Sequence, residues 1–301
     1  EWAWRIWQRL IRREHDAKVD AVFSLWVALL LLQPHEILNS DDWSMLLEEC
    51  RLPDEAALAM LLFARITRPR LTLKEHWTFL QKKPADQPKV DFELDLIHEP
   101  DHCLRDAFSK TIGRHMEACA PSIAPQIFAN LAAADSLMRL CSSSHQGVDP
   151  FRLHRQSIEK HDGRFITKLD ALVDAARDVV THKVKATPNR AFDQATDLFS
   201  SKIPILERLA VFAVTYAAES SADETLAWLL QHKLIYQYKT DVFRFLEVNY
   251  PAASEDLRQQ VIDAASSGPL GALFDGLSED TLLYDRFNLI VRLRTFVPWC
   301  V

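Results

Sequence analysis

Residues 203–269, IPILERLAVFAVTYAAESSADETLAWLLQHKLIYQYKTDVFRFLEVNYPAASEDLRQQVIDAASSGP, decide the fold. Ile205, Leu206, Leu209, Val211, Phe212 and Tyr216 recur at helical spacing, and the polar run Glu219 to Ala222 ends that segment. Ser221 with Glu224 three residues on is a capping box, each side chain satisfying an orphaned backbone N–H, and Leu226, Trp228, Leu229 and Leu230 give the next helix its apolar face. Val242, Phe243, Phe245 and Leu246 mark a third helix. It stops at Tyr250-Pro251, because a residue before proline is pushed out of the helical region. Ser254 opens a fourth, carried by Leu257, Val261 and Ile262 and closed by Gly268-Pro269. Two short helical hairpins in series cannot each bury an apolar face alone. Stacking them side by side, as in a HEAT/TPR-like α-solenoid, is the expected solution.

The rest of the composition agrees with an all-α chain. At 301 residues there is ample length for a core, and the six glycines are too few for Rossmann or P-loop turns, which need close backbone approach to phosphate. A formal charge of −7 gives no global attraction to nucleic acid. The five cysteines, Cys50, Cys103, Cys119, Cys141 and Cys300, are odd in number and form no CxxC, so a reduced, cytoplasmic protein is expected. The longest apolar run, Val22 to Leu32, has 11 residues, short of the roughly 20 that span a bilayer. It reads as a helix buried on most sides. Glu1 in place of Met reads as the start of a piece of something longer.

Outward from the central stretch, the sequence divides into an N-terminal helical segment over 1–83, a linker or long loop over 84–100, and a helical-repeat region over 101–301. Trp2, Trp7, Ile6 and Leu10 form one face of a first helix, with Arg5, Arg9, Arg12 and Arg13 on another. A docked tryptophan face with solvated arginines is the favoured reading, and a nucleic-acid contact by stacking and charge is the alternative. Helices follow over 17–33, from the cap Asn39 or Ser40 with Trp43, Leu46 and Leu47 inside, and over Ala56 to Ile66, where Arg65, Arg68 and Arg70 sit near the negative end of the helix dipole. Pro84, Pro88 and Pro100, with Asp86, Lys89, Asp91, Glu93 and Asp95 between, make 84–100 the linker or long loop. Leu104, Phe108, Ile112 and Met116 then lie on one stripe, and Gln126 to Leu140 is a helix opened by Pro121 or Pro125. The loop Cys141 to Gly147 is a second boundary. Phe151 to Lys160 and Leu169 to Val180 are expected as helices, Pro188 precedes a shorter helix to Phe199, and Thr281 to Val297 is a last helix whose apolar positions go round much of its circumference.

Three constellations bear on chemistry. His98, His102, His115 and Cys119 carry zinc-type donors, and the i, i+4 pair His115 and Cys119 suits one helix face, whereas Pro100 spoils the His98 and His102 pair. Ser142, Ser143, Ser144 and His145 place hydroxyls beside a base, but sequence neighbours seldom form a working pair, and a polar loop is the reading. Arg155, Glu159, His161, Asp162, Arg164, Asp174, Arg177 and Asp178 are the densest charged region. They could line a cleft, yet Asp174, Arg177 and Asp178 have the spacing of helix-surface pairs.

RQSIEKH at 155–161 followed by LDALVDAARD at 169–178, together with ERLA at 207–210, ADETLAWLL at 222–230, VFRFL at 242–246 and NYPAAS at 249–254, resembles the helical C-terminal portions of large bacterial anti-phage defence proteins that carry an N-terminal sirtuin-like or NTPase module. The likeness spans roughly 150–268. It implies a region that senses or holds an effector rather than catalysing, since neither a sirtuin-like glycine-rich site nor a Walker motif is present in these 301 residues. The expectation is a non-catalytic scaffold or sensor without a cofactor, bound to a protein partner or to an effector module of its own chain. Trp2, Trp7, Tyr236, Tyr238 and Lys239 are the expected partner anchors. The alternatives are a metal-dependent hydrolase or nuclease around His115 and Cys119 or Asp174 to Asp178, and a nucleic-acid-binding segment using Arg5, Arg9, Arg12 and Arg13.

Overall fold

The computed structural model describes residues 17–32, 40–75, 90–96, 101–141, 149–153, 155–159, 169–217, 219–269 and 278–296. It is mostly helical and divides into two compact units. The first unit comprises 1–143 with 163–176, and the second 144–162 with 177–301. This division differs from the expected segments 1–83, 84–100 and 101–301.

In the first unit, α1 (Ala17–Leu31), α2 (Ser40–Glu49) and α3 (Ala56–Ile66) precede a hairpin of β1 (Pro69–Glu75) and β2 (Val90–Leu96), followed by α4 (Asp101–Lys110) and α5 (Met116–Cys141). The hairpin corrects the reading of 84–100 as linker. Its register puts Leu71 opposite Leu94 and Leu73 opposite Phe92, with Thr72 opposite Glu93 between them. The alternation is that of a strand with one face inward, and Leu96 is fully buried. Asn130 of α5 ties the preceding helix end down, its Nδ2 donating to the Ala64 carbonyl and to Thr67 Oγ1, both at 2.9 Å.

α5 begins ten residues before the expected Gln126 and runs through both Pro121 and Pro125. Glu117, Pro121 and Pro125 lie one turn apart on its exposed face, so the carbonyls that lose an amide partner face water, while Ile123, Ile127 and Leu131 fill the core behind them. α1 is also different from expectation. Phe23 and Val27 are buried, but Leu25, Trp26, Leu29 and Leu32 are exposed, so the helix is covered on one side.

The second unit contains α7 (Ala191–Ser200), α8 (Pro204–Thr215), α9 (Ala222–Gln231), α10 (Lys239–Asn249), α11 (Glu255–Ser267) and α12 (Glu279–Phe296), preceded by most of α6 (Asp170–Ala186), which the unit boundary cuts after Ala176. The caps form as the residues dictate. Ser221 and Glu224 make the capping box, Ser254 accepts from the Leu257 amide, and Gly268 leaves α11 at φ 79°, a conformation that favours glycine. Sequential pairs α7 with α8, α9 with α10 and α11 with α12 pack together, and so do the alternate pairs α8 with α10, α9 with α11 and α10 with α12. α8 is the centre of this unit, with residues 205–211 and 213–215 all buried.

Phe151 to Lys160 is not the expected helix. Its described part is a 3-10 turn at Pro150–Leu153 and an irregular stretch over 155–159. The reason is the site that follows.

Candidate functional site

α8 carries Glu207 and Arg208 in the middle of an apolar run, and both are buried. A buried guanidinium requires acceptors. Arg208 finds Asp241, in the first turn of α10, through Nε at 2.6 Å, and Asp149 through Nη1 at 3.0 Å. Burial pulls the Arg208 pKa down, but Asp241 and then Asp149 outweigh it, so the net direction is up and the group stays charged. Nη2 is buried with no hydrogen-bond partner among the described residues.

Asp241 serves three donors. Its Oδ2 takes Arg208, and its Oδ1 accepts from the Ile158 amide at 2.8 Å and from Ser157 Oγ at 3.1 Å. Arg155, fully buried, turns this same segment around itself: Nε donates to the Ser157 carbonyl at 2.6 Å, and Nη2 to those of Ile158 and Glu159 at 3.2 and 2.9 Å. Those three carbonyls are thereby drawn onto one guanidinium, and a helix through 155–159 is given up for it. Asp149 caps the preceding turn, its Oδ1 accepting from the Phe151 amide at 2.9 Å.

Beside this cluster the Tyr238 hydroxyl donates to Glu207 at 2.5 Å. Burial first, then the bond to Glu207, drives the Tyr238 phenol far above its ordinary pKa. At the rim Glu159 accepts from the Tyr216 hydroxyl and from Arg244 Nε, and Arg244 also reaches Glu247. Tyr238 therefore stays a neutral hydroxyl donor and Arg208 a charged one. The arrangement is a clasp that ties residues 149–153 and 155–159 to α8 and α10.

The expected partner anchors fare differently. Tyr236 is buried, its hydroxyl donating to the Ala265 carbonyl and its pKa pushed up to about 12 by burial. Tyr238 is held by Glu207, and Lys239 by Asp285 at 2.5 Å. All three join helices inside the unit because the turn between α9 and α10 folds inward: Leu234, Ile235 and Tyr236 are buried in succession. Trp2 and Trp7, with Arg5, Arg9, Arg12 and Arg13, lie outside the described residues, as do His98, Ser142 to His145, His161, Asp162 and Arg164.

Among the described residues no group of three His, Cys, Asp or Glu is placed to hold a metal. Cys119 is fully buried, and that burial pushes its thiol pKa up. Asp174 pairs with Arg105 at 3.0 Å within the first unit, and Arg177 binds its neighbour Asp178 at 2.8 Å. No helix among the described residues is long and apolar enough to cross a membrane.

Sequence reasoning missed Asp149, Arg208 and Asp241. The available signal was Glu207-Arg208 inside ILERLAVFAV, two charges at positions whose neighbours on every side are apolar. A second aromatic group, Phe199, Trp228 and His232, stacks at 4.4 to 6.0 Å with Lys202 over the Phe199 ring, so its cation is already its own.

No family model, curated protein or solved structure matches this chain.

Proposed function

We propose that the chain is a non-catalytic helical scaffold or sensor segment, an array of antiparallel helix pairs that works by contact with a protein partner or with the rest of its own chain. The observation that carries this reading is where large apolar side chains meet water. Leu25, Trp26 and Leu29 do so on α1 and Leu32 just past its end, and Leu283, Tyr284, Phe287 and Val291 on α12. Grouped exposure of this kind marks contact surfaces, while the buried charges of the second unit are engaged in holding its own segments. Packing of sequential and alternate helices in that unit supports a repeat architecture. The resemblance of 150–268 to defence proteins supports a bacterial, anti-phage setting in which this segment holds or releases an effector.

The test is affinity purification from phage-infected and uninfected bacteria with the wild-type chain and the Trp26→Asp and Leu29→Asp variants. A protein retained by the wild type and lost by the variants is expected. Nuclease or hydrolase turnover by the purified chain, abolished in Asp174→Asn, overturns the reading.

A further inference from the structure

The orientation of α12 is set by its inner face. Asp285, Leu289 and Leu293 are buried at intervals of one turn, Asp285 accepts from Lys239, and Arg292 lies 4.3 Å over the Phe243 ring of α10. Opposite that inner face, between flanking polar residues such as Thr281 and Arg286, runs an exposed apolar strip: Leu283 is 53% exposed, Tyr284 65%, Phe287 64% and Val291 40%. Asp280, Tyr284, Phe287, Val291 and Arg294 follow one another at steps of four, three, four and three, the heptad spacing of a helix that packs along another helix. Asp280 and Arg294, at the two ends, are both exposed.

The placement of those charges selects the occupant. Asp280 and Arg294 are each seven residues from Phe287, and Leu283 and Val291 each four. A second α12 laid antiparallel, with a two-fold axis through Phe287, therefore sets Asp280 of each copy against Arg294 of the other, Leu283 beside the stripe against Val291, and Tyr284 against the half-buried Ile290, while Phe287 meets itself. A parallel pair would oppose Asp280 to Asp280 and Arg294 to Arg294. The antiparallel pair also sets the N-terminal end of each helix beside the C-terminal end of the other, so the macrodipoles attract. The self-matching pattern is what an isologous interface requires.

We propose that two copies of this chain associate through α12 in that antiparallel arrangement. The proposal rests on the reading of α12 as a contact surface and names its partner. The contact runs from Asp280 to Arg294, about 21 Å at 1.5 Å per residue, a small patch by the standard of stable interfaces. The association is accordingly weak and reversible, with dissociation in the micromolar range.

Sedimentation equilibrium of the 301-residue chain over a wide concentration series tests it. The wild type shifts from monomer to dimer. Phe287→Asp, which puts like charges on the axis, loses the dimer at least tenfold, with its circular dichroism unchanged. Asp280→Arg alone and Arg294→Asp alone each weaken it, and the double variant restores it. That restoration distinguishes antiparallel from parallel pairing, in which the double swap keeps like charges opposed. A chain that stays monomeric throughout refutes the pairing, as does a dimer indifferent to Phe287→Asp or one that the double swap fails to rescue. Partner retention sensitive to Trp26→Asp is a separate readout, so loss of the pairing is distinguishable from loss of the scaffold reading. A different protein that binds α12 and is released by Phe287→Asp, with no dimer at any concentration, likewise assigns the stripe elsewhere and overturns it.

Discussion

Replacing Asp241 by alanine removes three contacts at once: the 2.6 Å bond from Arg208, the 2.8 Å bond from the Ile158 amide and the 3.1 Å bond from Ser157. What remains is a guanidinium 2% exposed with Asp149 as a carboxylate partner, and a buried backbone N–H without the acceptor it had. Breaking a buried pair by deleting one side costs about 3–5 kcal/mol, because the surviving charge keeps its desolvation penalty. For a unit of this size about 2–4 °C is lost per kcal/mol, so the melting temperature falls by about 6–20 °C. Asp241→Asn keeps the shape and one acceptor but loses the charge, and its cost of about 1.5–3 kcal/mol lies below that of alanine. Urea unfolding followed by circular dichroism gives the free energy, and amide exchange at Ile158 reads the clasp locally. Arg208→Met with Asp241→Leu falls short of the summed single losses by about 0.5–3 kcal/mol. An Asp241→Ala loss under about 1 kcal/mol, with Ile158 still protected, refutes the reasoning.

Ser221→Ala removes the hydroxyl that accepts from the Glu224 amide at the start of α9, leaving the Ser221 amide on the Glu224 carboxylate, and lowers stability by about 0.5–2 kcal/mol in urea unfolding, whereas Ser221→Gly costs only a few tenths; equal losses would contradict the cap. Tyr238→Phe strips the buried Glu207 carboxylate of its hydroxyl donor and costs about 1–3 kcal/mol. Tyr236→Phe costs less, because the Ala265 carbonyl it leaves also accepts from the Gly268 amide; the reverse order of melting temperatures would show the two tyrosines misassigned. Burial and, after it, Lys202 lower the His232 pKa from 6.5. The unfolded chain then takes up the proton first, so stability is full above the unfolded pKa and declines as pH falls through it toward the folded one. The difference in urea midpoint between neutral pH and pH about 5 shrinks in His232→Phe, and an undiminished difference removes His232 as its source.

Local chemistry made much of the second unit legible. Ser221 with Glu224, Ser254 and Gly268 act within a turn of their own position, and each stands where the sequence put it. The segment 151–160 was illegible for the opposite reason. Its apolar spacing permits a helix, but its fate is set by Asp241, 83 residues from Ile158 and invisible to any local window. The alternation V-D-F-E-L-D-L at 90–96 was readable as a strand, and the flanking prolines and acids obscured it. In α12 the pattern places apolar residues around the helix without saying which will be covered, and only the packing of Leu289 and Leu293 divides inside from outside. Tyr236, Tyr238 and Lys239 looked like surface anchors because a short connection between helices is usually exposed. Here it is drawn in by the hydroxyls and the ammonium themselves.

The link from Ile158 to Asp241 also orders events on the ribosome. At about 5–20 residues per second, the amide that needs Asp241 leaves the tunnel about 4–17 s before the carboxylate that will receive it. Until then Arg155 has only its local carbonyls to hold, and Arg208 emerges 33 residues ahead of its acceptor on α10. A nascent chain truncated short of residue 241 therefore has Asp149 for Arg208 but lacks the second carboxylate and the acceptor for the Ile158 amide, so the segment around Ile158 is held in place only once α10 has been made.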